Sequence, residues 1–198
     1  MTQNRNVKLS AVVVAHNEED NLDDCLKSLA FADETVVILD KCNDESRNIA
    51  LKYTEQIFEG SWEIEGERRN YALSKCSGDY VIEIDADERI PKELQREIIE
   101  NTSRGSKLNY KAPIKNYIGK ENLKFTTMRS LIVMDRQFIS YKGNKVYRQD
   151  RRLHPVANLK GGIESLKSEI IHHMDRDLSA FIERFNKYTT LRSRDIIE

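Results

Sequence analysis

Residues 9–29 have the sequence LSAVVVAHNEEDNLDDCLKSL, in which a continuous apolar run leads into an acidic, amphipathic segment. The run Leu9–Ala15 is rich in β-branched residues and does not alternate with polar ones, which is typical of a strand covered on both faces in a parallel sheet. Leu22, Leu26 and Leu29 then recur at helical spacing, with Asn17 as the predicted N-cap and acidic residues in the first turn. We therefore predict a strand over residues 9–15, then a polar loop, and then a helix over residues 18–29.

The alternation of strands and helices continues to about residue 104. Strands are predicted over 35–39, 56–58 and 80–84, and helices over 44–53, over 66–75 and from Pro91 onward. Such alternation implies right-handed crossovers and a doubly wound α/β sheet, whose ligands bind beyond the carboxyl ends of the strands. The three segments expected at that edge, 15–19, 40–44 and 85–88, are unusually polar or acidic.

The segment Asp85-Ala86-Asp87-Glu88 follows the predicted strand 80–84 directly. Strand alternation places Asp85 and Asp87 on one side and Ala86 on the other. Neighbouring carboxylates are costly unless a cation neutralises them, and their hard oxygens suit Mg²⁺ or Mn²⁺, which also bind phosphate. An acidic helix N-terminus would explain the same four residues, so this motif alone leaves a metal site and a structural role open.

Composition limits the class of protein. The 198 residues are 39% apolar, enough for one sizeable core, so we predict a single domain over residues 1–198. The 32 Lys and Arg balance 33 Asp and Glu, which gives no electrostatic reason to expect a nucleic-acid partner. Three cysteines without the spacing of a zinc or redox motif fit a reduced, cytoplasmic protein, and no stretch approaches the ~20 apolar residues that span a bilayer.

Three segments in the first half resemble, in order and spacing, the motifs of family 2 glycosyltransferases. Residues 9–29 resemble the opening "SVVIPAYNEE" and its Leu-bearing helix, and TVVILDKCNDES (35–46) resembles "IIVVDDGSTD". GERRNYALSKCSGDYVIEIDADERI (66–90) resembles the stretch "ARN.G...A.GD.v..lDaDe". Within that family, the chain resembles small bacterial enzymes of the WaaE type, β-glucosyltransferases of the lipopolysaccharide core. Lys41-Cys42-Asn43 departs from the family's small Gly-Ser turn, which would narrow or recharge the donor pocket.

This resemblance implies the GT-A fold, a doubly wound mixed sheet flanked by helices, with a nucleotide-sugar-binding half at about 1–104 and an acceptor half at about 105–198. The donor-binding residues that it implies are Ala15, His16, Asn17, Glu18, Asp40, Asp44, Arg69 and Asp85. Within this set, Asp40 would accept a hydrogen bond from uracil, Arg69 would lie near the base or phosphates, and Asp85 would contact the ribose. Asp87 would bind the metal, Mg²⁺ or Mn²⁺, at a DxD motif. Arg68, beside this set, is expected to be a solvated helix charge.

The sequence departs from the family pattern where the general base is expected. An inverting transferase needs a base to deprotonate the acceptor hydroxyl. In the related enzymes an "RLF" stretch is followed by a His-Glu pair, whereas here His154 is followed by Pro155, which cannot take a proton. Asp150 and His154 are therefore the candidate catalytic residues, with Glu164 behind them.

The C-terminal segment leaves further alternatives open. His172 and His173 are candidates for holding the diphosphate or metal, or are merely a strand end. After Asp177, apolar residues at helical spacing predict an amphipathic helix with a basic polar face. This helix either packs on the domain or lies on an anionic membrane that presents a lipid-linked acceptor. The chain is either a compact member of the family or lacks part of the acceptor side.

We therefore predict a cytoplasmic enzyme of cell-envelope glycan synthesis, such as lipopolysaccharide synthesis. If the C-terminal helix binds the membrane, the enzyme would act at its inner face. It would transfer a sugar, with inversion, from a nucleotide-diphosphate donor to a saccharide or lipid-linked saccharide. UDP is the expected nucleotide of the donor. The sequence does not indicate an oligomeric state. A nucleotidyltransferase is the first alternative, but it would favour a Gly-rich basic loop where HNEED is acidic. A non-catalytic nucleotide-sugar-binding protein is the second alternative, because Pro155 stands where the related enzymes have a carboxylate. A pure interaction domain would have little reason to place four acidic residues, Asp40, Asp44, Asp85 and Asp87, at strand ends.

Overall fold

The protein alternates strands and helices, as seen in a computed structural model that describes residues 7–122, 136–150 and 154–197. Its described helices are α1 (Leu22–Ser28), α2 (Ser46–Ala50), α3 (Glu65–Lys75), α4 (Lys92–Ser103) and α5 (Leu178–Ile197). The described strands of the first half are β1 (Leu9–Ala15), β2 (Glu34–Asp40), β3 (Ile57–Gly60), β4 (Tyr80–Asp85) and β5 (Glu88–Arg89). Those of the second half are β6 (Asn109–Ala112), β7 (Ile114–Ile118), β8 (Glu121–Asn122), β9 (Arg136–Tyr141), β10 (Lys145–Tyr147), β11 (Ala157–Leu159), β12 (Ile163–Ser165) and β13 (Ile170–Asp175).

A mixed sheet with the strand order β12-β6-β9-β4-β1-β2-β3 forms the centre of the molecule. Strands β1, β2, β3 and β4 are parallel, whereas β9 is antiparallel to both β4 and β6. The carboxyl ends of β1, β2 and β4 therefore meet at one edge, which brings together the three polar segments that follow them.

Both faces of this sheet are covered. Val13 of β1 belongs to a core cluster that includes Leu26 of α1 and Leu94 of α4. Its neighbour Val12 belongs to a second cluster with Ala72 of α3. Since successive side chains of a strand point to opposite faces, the helices lie on two sides of the sheet. The predicted doubly wound α/β fold with a mixed sheet is thus confirmed.

A smaller sheet, in the order β5-β13-β7-β8, lies next to the turn that follows β4. Strand β13 is antiparallel to β5, and this register places His172 opposite Glu88. A hairpin of β10 and β11 packs on α3, which makes contacts with β10. The second half therefore supplies short strands at the edge where the parallel strands end, as its lack of a long helical period predicts.

Most predicted elements of the first half are confirmed, but the start of the first helix is wrong. Helix α1 begins at Leu22 with Asn21 as its N-cap, not at residue 18 with Asn17. Asn17 has a left-handed φ of 55°, and its side chain accepts a hydrogen bond from the amide of Asn43 instead. The apolar run at 130–134 and the Arg-Arg-Leu segment at 151–153 lie outside the described residues.

The predicted C-terminal helix is confirmed as α5. Three of its apolar side chains, Leu178, Ile182 and Phe185, are more than half exposed. Phe181 stacks on Phe185 with 6.5 Å between ring centroids, and Arg184 pairs with Asp175 at 2.7 Å. Among the described helices, none has the length and apolar character needed to cross a bilayer.

Candidate functional site

Hydrogen bonds join the loop that follows β1 to the loop that follows β2. The Nδ1 of His16 donates to the carbonyl of Asp40 at 2.6 Å, and the amide of Glu18 donates to Ser46 Oγ at 3.0 Å. The Sγ of Cys42 lies 3.4 Å from the carbonyl of Ala15 and 3.3 Å from the amide of Asn17. The polar loops predicted to bind the nucleotide are therefore held together before any ligand arrives.

The replacement of a Gly-Ser turn by Lys41-Cys42-Asn43 changes this wall of the site. Cys42 bridges the two loops as described above, which no glycine could do. Lys41 takes a left-handed φ of 54°, and its Nζ pairs with Glu63 at 2.7 Å. The positive charge that Lys41 adds to this turn is thus balanced by the carboxylate of Glu63.

Asp40 is buried and already engaged. Its Oδ2 accepts a hydrogen bond from Arg68 NH1 at 2.6 Å, and its Oδ1 accepts one from the amide of Trp62 at 3.2 Å. The Arg68 side chain is 20% exposed, so the interpretation of Arg68 as a solvated helix charge is wrong. The Nε of Arg68 is buried without a hydrogen-bond partner among the described residues. The sequence pattern at 66–70 gave no sign that Arg68 would face Asp40.

Asp44 organises the loop rather than standing free. Its carboxylate accepts hydrogen bonds from the amides of Ser46 at 3.1 Å and Glu19 at 3.0 Å. Burial raises the pKa of Asp44, but these hydrogen bonds outweigh it and the net shift is downward. Asp44 therefore stays ionised and keeps the 41–46 segment against the 16–19 segment.

Acidic groups crowd the edge between β1 and β4. Burial raises the pKa of Glu18, and the charges of Asp87 and Asp85 raise it further, although a hydrogen bond from Asn21 opposes the shift. Ala86, between the two aspartates, is buried in the core, as strand alternation predicts. A site with this much negative charge favours the binding of a cation.

Asp85 is paired with Arg69, so the structure brings together two residues that the resemblance assigns to different parts of the donor. The Arg69 NH2 group lies 3.4 Å from Asp85 Oδ1, and its Nε donates to Glu65 Oε1 at 2.7 Å. Asp85 keeps 37% of its side chain exposed, whereas Glu65 keeps 9%. The arginine thus links an accessible carboxylate at the strand end to a buried one at the start of α3.

Asp87 faces a histidine from the other half of the chain. The Nε2 of His172 lies 3.1 Å from Asp87 Oδ2, and its Nδ1 lies 2.8 Å from Asn116 Oδ1. Burial lowers the pKa of His172, but the facing carboxylate of Asp87 outweighs it and raises the pKa. Of the two histidines considered from sequence, His172 faces Asp87 with its ring. His173 stacks its ring on Tyr117, with 5.6 Å between ring centroids, and donates its amide to the carbonyl of Asp87.

The pair of Asp87 and His172 fits a divalent cation. Because the Asn116 side-chain oxygen can accept the Nδ1 hydrogen, the ring is held with Nε2 facing Asp87, and a cation that displaces the Nε2 proton would meet the arrangement of a metal-binding histidine. Within the described residues, no group of three or more His, Cys, Asp and Glu side chains is arranged to hold a metal. Mg²⁺ commonly takes only one or two carboxylates from the protein and the rest from phosphates and water. The residues therefore suit a cation that arrives with a diphosphate.

A cavity of about 550 Å³ opens beside Asp87. Its lining includes Glu18, Asp20, Arg89, His173 and Asp175. Its volume is large enough for a sugar, and its acidic and basic lining can form hydrogen bonds with sugar hydroxyls.

The two candidate bases flank residues 151–153. Asp150 is exposed and pairs with Arg148. His154 has a left-handed φ of 52°, and its amide donates to Glu65 Oε2 at 2.7 Å, which ties it to the group that holds Arg69. Glu164 lies on β12, three strand positions from β4, so the structure does not bring it to Asp85 and Asp87.

Comparison with known proteins gives a consistent result. The family model described as Glycosyl transferase family 2 matches residues 10–137. An uncharacterized glycosyltransferase of Rickettsia typhi is 22% identical over 200 residues, which cover 96% of this chain and 68% of the relative. The lipopolysaccharide core biosynthesis glycosyltransferase LpsC of Rhizobium meliloti is 23% identical over 202 residues, which cover 96% of this chain and 72% of LpsC.

Solved structures agree on the fold. The crystal structure of Staphylococcus aureus TarS superposes with a TM-score of 0.61 at 19% identity, over 84% of this chain and 37% of TarS. The chain thus spans well under half of that protein. A shorter form, TarS 1–349, was solved in complex with UDP-GlcNAc and superposes with a TM-score of 0.58. The likeness confirms the predicted GT-A type of fold.

Proposed function

Because the chain belongs to glycosyl transferase family 2, we propose that it transfers a sugar, with inversion, from a UDP-sugar to a saccharide or lipid-linked saccharide of the cell envelope. The observation that carries this proposal is the Asp85-Ala86-Asp87 turn at the carboxyl edge of the sheet, with Asp87 facing His172 at 3.1 Å. The names of LpsC, a lipopolysaccharide-core enzyme, and of the TarS complex with UDP-GlcNAc support the same substrate classes. The proposed place of action is the cytoplasm, at the inner face of the cell membrane.

The nucleotide would lie across the joined loops 15–18 and 40–44. Asp40 and Arg68 place a hydrogen-bond acceptor beside donors, which complements the adjacent N3–H and O4 of uracil. The unsatisfied Nε of Arg68 supports a ligand here, because an oxygen that accepts its hydrogen would remove the cost of burying it. Asp85 would take ribose hydroxyls, and Arg69 beside it would face the phosphates.

Asp87 and His172 would hold the divalent cation, with Asn116 fixing the imidazole. When bound, this cation would neutralise the charge of the leaving diphosphate. The acceptor sugar would enter the cavity beside Asp87, where carboxylates can accept hydrogen bonds from its hydroxyls.

Asp150 and His154 are the proposed sources of the general base. The base would remove the acceptor hydroxyl proton while that oxygen attacks the anomeric carbon and the diphosphate leaves from the opposite face. His154 is the better placed of the two, because its backbone is bonded to the Glu65 and Arg69 pair beside Asp85.

A turnover assay tests the proposed function. The chain would be incubated with Mn²⁺, with UDP-, GDP- or CDP-sugars in turn, and with lipopolysaccharide core saccharides, and nucleoside diphosphate release would be measured. UDP release that needs both the cation and an acceptor is the expected result. Tight UDP binding without release from any donor would favour the non-catalytic binding protein instead.

The base is tested by two substitutions in the same assay. Asp150→Asn and His154→Ala should each leave UDP affinity nearly unchanged, because the contacts described for these residues, to Arg148 and to Glu65, are not with the donor loops 15–18 and 40–44. The variant that removes the base should lower transfer by about 100-fold or more. If both variants keep the wild-type rate, the base lies elsewhere in the chain.

A further inference from the structure

Glu65, the first residue of α3, connects the acceptor-side loop to the donor-side acid. Its Oε2 accepts the amide hydrogen of His154 at 2.7 Å, and its Oε1 accepts the Nε hydrogen of Arg69, also at 2.7 Å. The same guanidinium lies 3.4 Å from Asp85. The Glu65 carboxylate thus joins α3 to the loop that carries the candidate bases, where His154 lies 89 residues later in the chain.

The base of that loop is fixed by other contacts. The side chain of Asn70 exchanges two hydrogen bonds with the backbone of Tyr147, at 2.9 and 2.8 Å. The Tyr147 hydroxyl donates to Glu83 at 2.9 Å, and Lys145 pairs with the same carboxylate at 2.5 Å in the interior. Strand β10 therefore stays on α3 whether or not Glu65 is present. At the far end of the loop, the amide of Arg148 donates to the carbonyl of Val156 at 2.9 Å, and Glu65 holds the amide of His154.

The far end is also strained. His154 adopts a left-handed φ of 52°, which a side chain with a Cβ rarely takes, and it precedes Pro155, whose ring restricts the residue before it. Such a conformation persists only where its surroundings hold it. The Glu65 carboxylate is a largely buried, charged acceptor for the His154 amide, and this bond helps to maintain the conformation.

We propose that Glu65 is a positioning residue that couples the occupation of the donor site to the placement of His154. The coupling rests on the proposed function, since it needs a donor at Asp85. Arg69 is shared between a close partner, Glu65 at 2.7 Å, and a looser one, Asp85 at 3.4 Å. A donor that engages Asp85 or Arg69 alters this sharing, and Glu65 passes the change to the amide of His154.

Hydrogen exchange measures this coupling directly. The peptide covering residues 147–157 would be followed in the wild type, in Glu65→Ala and in Glu67→Ala, with and without UDP and Mn²⁺. Glu67 is the matched control, because it lies on the same helix and is exposed. Exchange at His154 should be at least tenfold faster in Glu65→Ala and unchanged in Glu67→Ala, because an amide that loses its acceptor exchanges more freely.

The donor-dependent part separates positioning from a merely structural role. UDP with Mn²⁺ should change the exchange of this peptide in the wild type and in Glu67→Ala but not in Glu65→Ala, whose UDP affinity stays within threefold. In the turnover assay, Glu65→Ala should lower kcat while the KM for the donor stays within threefold. Glu65→Gln, which keeps one acceptor oxygen, should be intermediate and serves in place of an alanine variant that fails to fold.

Two results would overturn the proposal. Equal exchange at His154 in all variants would show that Glu65 does not hold this amide. A donor effect that persists in Glu65→Ala would show that the signal bypasses it. Absence of UDP binding by the wild type would instead refute the proposed function, and the coupling with it.

Discussion

Glu34 ties together the amino ends of the strands whose carboxyl ends form the site. Its carboxylate accepts hydrogen bonds from Ser10 of β1, from the Ser77 amide at 2.7 Å and hydroxyl at 2.8 Å, and from Gln56 at 3.2 Å. Burial raises the pKa of Glu34, but these hydrogen bonds outweigh burial and lower it to about 2. We predict that Glu34→Gln removes a large, pH-dependent part of the stability.

The magnitude follows from the shift. A fall of the Glu34 pKa from the ordinary value of 4.5 to about 2 corresponds to about 3 kcal/mol at ~1.36 kcal/mol per pKa unit. Because the folded-state pKa is the lower one, this stability is present above the unfolded pKa and is lost as the pH falls toward the folded value. At pH 3 about 1 kcal/mol of it remains. The difference in unfolding free energy between the wild type and Glu34→Gln should therefore shrink by about 2 kcal/mol from pH 7 to pH 3.

Urea unfolding at pH 7, 5, 4 and 3 measures this difference. Because glutamine does not titrate, any packing cost of the substitution lowers the unfolding free energy equally at every pH. The change with pH in the difference between the two proteins therefore reports on Glu34. Glu55→Gln is the control, because Glu55 is exposed, and its curve should run parallel to that of the wild type. Parallel curves for Glu34→Gln as well would refute the inference that the hydrogen bonds depress the pKa of Glu34.

Two further substitutions test contacts of the site. Asp40→Ala should lower the unfolding free energy by about 3 kcal/mol, since Arg68 is left with an uncompensated charge, and adding Arg68→Met should recover much of the loss in a urea titration. Recovery smaller than the experimental error would mean that Asp40 does not compensate Arg68. Gly66→Ala should cost about 1–3 kcal/mol in the same titration, because the new Cβ would meet the carbonyl of Arg148 at 2.0 Å. An unchanged midpoint would show that the loop can move aside; the exposed Ser74→Ala on the same helix is the control.

Much of the fold could be predicted from the sequence because its signals are local. The uninterrupted apolar run of β1 indicates a strand buried on both faces, and β1 is indeed covered by helices on both sides. The start of α1 could not be predicted, because Asn17 bonds to the amide of Asn43 on a distant loop instead of capping the helix. Tertiary contacts of this kind override local capping preferences.

The candidate site was predictable only where it follows strand ends. Asp40, Asp85 and Asp87 lie at the expected edge, since the carboxyl ends of parallel strands meet there. The partner of Asp87 was harder to identify, because His172 is 85 residues away and arrives through the pairing of β13 with β5. The sequence offered only a His-His pair after an apolar run, which is also typical of a strand end.

Calorimetric titration of the chain with UDP tests the account most directly, with Mn²⁺ and then with EDTA, for the wild type and for Asp87→Ala. If Asp87 and His172 hold the cation that bridges to the diphosphate, wild-type binding should require Mn²⁺, and Asp87→Ala should lose at least 100-fold in affinity while its unfolding midpoint is retained. Binding that is equally tight in EDTA, or unchanged in Asp87→Ala, would contradict the proposed metal site.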